Sequence, residues 1–177
     1  MSIDRARQIN DNAVTPALAL LSVRMDSPAA RVMLLAICGQ EADFRHRRQI
    51  LAGGAPGPAK SLWQGERGGG MVHGVRGHVA TQAYAAALYR ARGVEPTLDA
   101  IWNAIEVDDV LAAGLARLLL WSDPRALPAV SDVQAAWELY LRTWRPGAYT
   151  GGTPAERKRL REKWAGYHRT AREALGV

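Results

Sequence analysis

Cysteine is almost absent from this chain of 177 residues, where Cys38 stands alone. A single thiol excludes a disulfide framework and a Cys-rich metal cluster, and its place in an apolar segment suits a buried small hydrophobe. Phenylalanine is as scarce, with one copy against six Trp and five Tyr. Nearly all the aromatic surface therefore carries a polar tip, which serves sugar stacking as well as ordinary helix packing. No apolar run approaches the length of a membrane span, so none is expected. Residues 1–12 are polar and lack the apolar core of a signal peptide. Synthesis in a cytoplasm is expected, with any role outside it requiring release or carriage. Acidic residues are outnumbered 17 to 23, which leaves a net charge of +6 and a pI near 10.0. Such a balance favours polyanions such as nucleic acid, anionic lipid or cell-envelope polymers. The densest basic run, 157–163, is interleaved with Glu156 and Glu162 and reads as a solvated helix face.

What the chain does have is helical periodicity almost throughout. Thr15-Pro16 marks the start of a first helix reaching about Met25, and Ser27-Pro28 an N-cap and first position for a second ending near Phe44. The pattern then breaks over 45–76, a Gly-rich stretch with two β-compatible pieces, 48–51 and 60–65, that predict a small hairpin. Helices are expected again at 79–92, stopped by Gly93, at 98–106 and at 109–121. Ser131-Asp-Val-Gln134 reads as a capping box for a helix to Trp144, and Thr153-Pro-Ala-Glu156 as a second, opening a terminal helix to about Leu175. On that last helix Leu160, Trp164, Tyr167, Ala171 and Leu175 share one stripe that should dock on the body. The expected architecture is mainly α, formally α+β, in one domain over 1–177.

Glu41 breaks the apolar pattern of the second helix. Counting back in threes and fours, it shares a face with Ile37, Cys38 and Leu34, so it should point inward. Burial and the negative end of the helix dipole both raise a carboxyl pKa, which suits a general acid at neutral pH. The long Gly-rich excursion that follows could wall a cleft beside it.

Glu41-Ala-Asp-Phe44 resembles the Glu-Ser-x-Phe signature of lysozyme-like lytic transglycosylases, and Gly57-Pro-Ala-Lys-Ser-Leu-Trp-Gln64 resembles their Gly-Ala-x-Gly-Leu-Met-Gln motif. The resemblance covers about residues 30–70. It departs from the family in an insertion over 51–56, in Ser61 where the family has a second Gly, and in the missing Ala-Tyr-Asn-Ala-Gly motif. Trp137-Glu-Leu-Tyr140 and Tyr149-Thr-Gly-Gly152 are the nearest stand-ins. Ser61 suggests a slightly different backbone at that point. The resemblance implies a lysozyme-like fold, with one small β-hairpin lobe after the helix of the catalytic Glu. It also implies cleavage of peptidoglycan between N-acetylmuramic acid and N-acetylglucosamine. Lack of a signal sequence points to the phage or prophage branch, acting at the wall after release or carried in a virion.

By the same resemblance Glu41 would be the acid/base, Gln64 would line the cleft, and Trp63 would pack under the site or against a sugar ring. Tyr140 could supply the hydroxyl of the missing motif, or be a core residue. Arg145 could meet a muramyl lactyl or peptide carboxylate. Asp43, two residues from Glu41, should point away, whereas Glu66 is either a second carboxylate facing the cleft or an exposed turn residue. His78, at an expected helix start, is a capping or cleft-lining candidate. His46, His73 and His78 lack metal-ligand spacing, so neither metal nor cofactor is expected. Peptidoglycan is the expected partner, nucleic acid is not, and a monomer is favoured. Two alternatives stay open: a basic nucleic-acid-binding module, and a phage structural or assembly protein that keeps the fold without catalysis.

Overall fold

In the computed structural model, which describes residues 2–51 and 53–177, helix begins well before Thr15. Ser2 caps α1 (Ile3–Ile9) by accepting a hydrogen bond from the Arg5 N–H. The chain continues through a π-helical turn, Asn10–Val14, into α2 (Thr15–Ala19). Pro16 thus lies inside a helical run rather than at its start. Proline cannot donate to the preceding turn, and that turn is widened so that the Thr15 N–H reaches the Asn10 carbonyl. Ala6, Ile9, Ala13, Ala17 and Leu18 form the buried stripe of this amphipathic run. The helix expected to reach Met25 stops near Leu20, and a short 3-10 turn, Val23–Met25, carries the chain to the next cap.

The second helix follows its local signals closely. Ser27 accepts from the Ala30 N–H, Pro28 occupies the first position, and α3 spans Pro28–Ala42. It is buried on nearly every side, including Cys38, and ends at Asp43 in the left-handed conformation. From there the chain enters a small antiparallel ribbon of β1 (Arg48–Ile50) and β2 (Pro56–Lys60), paired Arg48 to Lys60 and Ile50 to Pro56 with a bulge between. The second strand was expected at 60–65 and lies earlier, across two prolines. In a two-stranded ribbon both strands are edges, where a missing N–H costs no ladder bond. Residues 61–64 instead form a turn closed by reciprocal Lys60 and Gly65 backbone bonds of 3.0 and 2.7 Å.

A π-helical turn Gly70–Gly74 and the short α4 (Val75–Gly77) lead to α5 (Gln82–Arg92), which starts three residues later than 79 and ends at left-handed Gly93. Next come α6 (Leu98–Ala104) and the apolar α7 (Asp109–Ser122), each capped by a side chain, Thr97 and Asp108. The cap of α8 (Val133–Trp144) is Asp132, which accepts from the Ala135 N–H. The capping box expected at Ser131 does not form, because the side chain one residue later meets the free N–H groups and Gln134 turns to Glu138 and Arg161. A short α9 (Gly147–Thr150) precedes α10 (Pro154–Leu175), where Thr153 and Glu156 form the complete capping box.

α10 lies along α3, with Trp164, Tyr167 and Ala171 buried as the stripe requires. The approach is close enough that a Cβ at Gly39 would collide with the Tyr167 ring. The protein is mainly α with one small two-stranded antiparallel sheet. Among the described residues, no helix is long and apolar enough to cross a membrane.

Ionic contacts pin the ribbon to the helical body. Arg47 holds Asp109 at 2.9 Å, and Arg48 and Lys60 converge on Glu106 at 2.8 and 3.0 Å. The Lys60 ammonium also sits 3.6 Å from the Trp102 ring, whose indole N–H donates to the Pro58 carbonyl. The wall of the cleft beside Glu41 is therefore a braced element.

Candidate active site

Glu41 lies in the last turn of α3, half-buried, and lines a cavity of about 380 Å³. The ribbon and the turn after it form one wall through Gln49, Gln64 and Glu66, and the end of α8 forms the other through Trp144 and Arg145. The Tyr140 hydroxyl donates a 2.6 Å hydrogen bond to Glu41 Oε1. The Tyr140 ring stacks on Trp164, centroids 4.9 Å apart and planes 19° apart, with Trp137 at 5.3 Å. That aromatic bed fixes where the hydroxyl points.

Burial raises the Glu41 pKa from 4.5 to about 7, against the Tyr140 hydrogen bond and the Lys163 charge, and with help from the charge of Glu66. Tyr140 is pushed well above its ordinary value, first by burial and then by the Glu41 charge beside it, so it stays a neutral donor. The site therefore holds a carboxyl poised between its two protonation states at neutral pH, open to a cleft and held by a rigid hydroxyl. Such a group can give a proton to a leaving oxygen and take one back.

Most of the residues singled out in the sequence meet here, in altered roles. Trp63 is fully buried, its indole N–H bonded to the Leu34 carbonyl at 2.9 Å and its own carbonyl accepting from Trp144 at 3.0 Å. Stacking of Trp63 on a ligand ring is thereby ruled out, and its ring belongs to the core. Gln64 lines the cavity, but both amide N–H groups are committed, to the His46 and Ser61 carbonyls at 2.9 and 2.8 Å. Only its Oε1 remains to meet a ligand. Ser61 has φ 73°, the left-handed region glycine favours, so a serine here occupies a glycine-like turn position.

Tyr140 contacts Glu41 rather than presenting itself to the cleft, so its part is to position the carboxyl. Of the two stand-in segments, that one reaches Glu41, whereas Tyr149 packs edge-on against Trp137. Glu66 is exposed and lines the same cavity. Arg145, left-handed at φ 49° as the C-cap of α8, lines it too. Asp43 turns away as expected. Burial tends to raise its pKa, but the Tyr167 hydroxyl and the Lys163 ammonium outweigh that and hold it below the ordinary range.

His78 ends α4 instead of starting a helix, because its Nδ1 caps the following turn by accepting from the Ala80 N–H. It is exposed in an adjoining cavity of about 640 Å³ with His73, Arg142 and Arg145, beyond the Glu41 cavity. Among the described residues no three His, Cys, Asp or Glu side chains gather in a metal-holding group. Sequence reasoning missed Trp144 and Lys163. Trp144 closes the cleft as the last residue of α8, and Lys163 donates to the Gln40 carbonyl at 2.8 Å. Neither carries a local signal, since both arrive from segments about a hundred residues away in sequence.

No protein-family model, curated protein or solved structure matches the chain.

Proposed function

We propose that this protein is a lysozyme-like muramidase that cleaves the glycan strand of peptidoglycan between N-acetylmuramic acid and N-acetylglucosamine, with Glu41 as general acid and base. The observation that carries the proposal is the placement of the Glu41 carboxyl: at the end of a buried helix, lining an open cleft and hydrogen-bonded to Tyr140. Burial there pushes its pKa up to about 7. The motif resemblance around Glu41 and Gln64 supplies the substrate class.

Protonated Glu41 gives its proton to the glycosidic oxygen as the bond breaks. The carboxylate then withdraws a proton from the acceptor, either the muramyl 6-hydroxyl, which closes a 1,6-anhydro ring, or water. Glu66, exposed on the same cavity, is the carboxylate available to assist water. Gln64 Oε1 and the Arg145 guanidinium are the groups available to a sugar hydroxyl or amide and to a substrate carboxylate. The positive net charge holds the protein to an anionic envelope. A phage or prophage origin, with action at the wall after release or from a virion, belongs to the same proposal.

The test is mass spectrometry of muropeptides released from purified Gram-negative peptidoglycan by the wild type and by Glu41→Gln. Anhydromuramic ends, absent with the variant, establish a transglycosylase, and reducing ends establish a lysozyme. No release by either protein, both folded, overturns the enzyme and leaves a structural or binding role.

A further inference from the structure

Arg117 is a charge in an unusual place. It sits on α7, the most apolar long helix of the fold, and only 2% of its surface is exposed. Its Nε donates to the Met25 carbonyl at 2.7 Å, and its guanidinium carbon lies 5.1 Å from the centre of the Trp121 ring. Nη1 is buried without a hydrogen-bond partner among the described residues. Neither is there a carboxylate within ion-pair distance among those residues. The acidic group whose field reaches it is Asp26, and Arg31 already grips that carboxylate through two 2.7 Å hydrogen bonds. Burial accordingly pulls the Arg117 pKa down to about 10, which still leaves it charged at neutral pH. A buried guanidinium without a counter-charge is a costly thing to keep, so its surroundings matter.

Arg117 forms part of the wall of a cavity of about 420 Å³ that shares no lining residue with the Glu41 cavity. The rest of that wall is two-faced. Leu120, Trp121, Pro124 and Leu127 make an apolar side, and Arg24 and Arg125 stand exposed at the edge. Asp123, the acidic group in the lining, is paired with Arg142 at 3.1 Å and accepts from the Arg125 N–H. The lining therefore combines three arginines, against one carboxylate that is already paired, with an aromatic and aliphatic surface.

We infer that this cavity is a binding site for a small organic anion, with a carboxylate or phosphate-ester head at Arg117 and an apolar body against Trp121, Leu120 and Leu127. Guanidinium is the side chain suited to such heads, and an anion would supply the missing counter-charge. The inference stands apart from the chemistry of Glu41.

The experiment is isothermal titration of the full chain with benzoate, its neutral isostere benzamide, and hexyl phosphate, alongside co-sedimentation with phosphatidylglycerol vesicles. Each is repeated on Arg117→Gln and on Ala126→Trp, an exposed lining position that plugs the cavity and leaves the Met25 bond intact. The expected result is at least about tenfold tighter binding of an anion than of benzamide, lost in both variants. Should only the vesicles bind, with that binding lost in both variants, the anion is a lipid headgroup and the site is upheld. Equal affinity for benzoate and benzamide without variant-sensitive vesicle binding, or anion binding that survives Ala126→Trp, overturns it. So does the absence of any binding. If Arg117→Gln fails to fold, Ala126→Trp decides alone.

Discussion

Replacing Glu41 by Gln should make this protein inactive and, above neutral pH, more stable. In the unfolded chain the Glu41 carboxyl ionises around 4.5, and in the folded protein around 7. Between those values the folded state keeps a proton that the unfolded state has lost, so rising pH favours unfolding. The contribution is absent below about pH 4 and complete above about pH 7.5. At about 1.4 kcal/mol per pH unit it reaches about 3.5 kcal/mol, an upper figure because the side chain keeps some contact with the water of the cleft. Glutamine occupies the same volume, can still accept from Tyr140 and never ionises. The stability advantage of Glu41→Gln over the wild type should therefore widen by about 2–3 kcal/mol from pH 4 to pH 8, or by roughly 5–10 °C in melting temperature for a chain of this size. Urea titrations of both proteins at the two pH values measure it, and groups that do not interact with Glu41 cancel in the comparison. An advantage that does not change with pH, or that shrinks as pH rises, would refute the raised pKa and with it the argument for Glu41 as a general acid.

Activity on peptidoglycan should fall above about pH 7 as Glu41 loses its proton. In Tyr140→Phe, which removes the hydrogen bond that favours the carboxylate, that limb of the pH–rate profile should move up by roughly 1 pH unit. An unmoved limb would mean that Tyr140 does not act on Glu41. Glu66→Gln removes a charge that raises the Glu41 pKa, so the same limb should move down by roughly a few tenths of a pH unit, most visibly at low salt. Trp63→Ala should cost about 3–5 kcal/mol in denaturant titrations with KM of the folded fraction unchanged, because the ring is core and does not touch the cleft. Thr153→Ala, which breaks the capping box of α10, should cost about 1 kcal/mol and leave activity intact.

Several elements could be read directly because their signals are local. Ser27-Pro28, Thr153 with Glu156, and the left-handed Gly93 each act within a turn of their own position, and α3, α10 and the end of α5 follow them. The inward aim of Glu41 is likewise a matter of helical period. Where the reading failed, a second segment intervened or a signal had two meanings. Pro16 marks a helix start in most settings and here sits behind a π-helical turn. Ser131 and Asp132 are both capping residues, and only backbone geometry chose between them. The second strand at Pro56–Lys60 ends on Lys60, which is gripped by Glu106, Asn103 and Trp102 of α6 and its flank, over forty residues on in sequence.

By itself, then, the sequence determined a mainly helical chain with a glycine-rich break and placed one carboxyl on the inner face of a helix, since period and capping are short-range. Only the tertiary structure decided what that carboxyl is. Its pKa depends on the density of atoms around it, on Tyr140 set by an aromatic stack from α8 and α10, and on charges from Lys163 and Glu66, all contributed by segments distant in sequence. The unpaired Arg117 has the same origin. In the sequence it is one arginine among twenty, and its want of an ion-pair partner among the described residues exists only once Arg31 has claimed Asp26 and the apolar helix has closed around it.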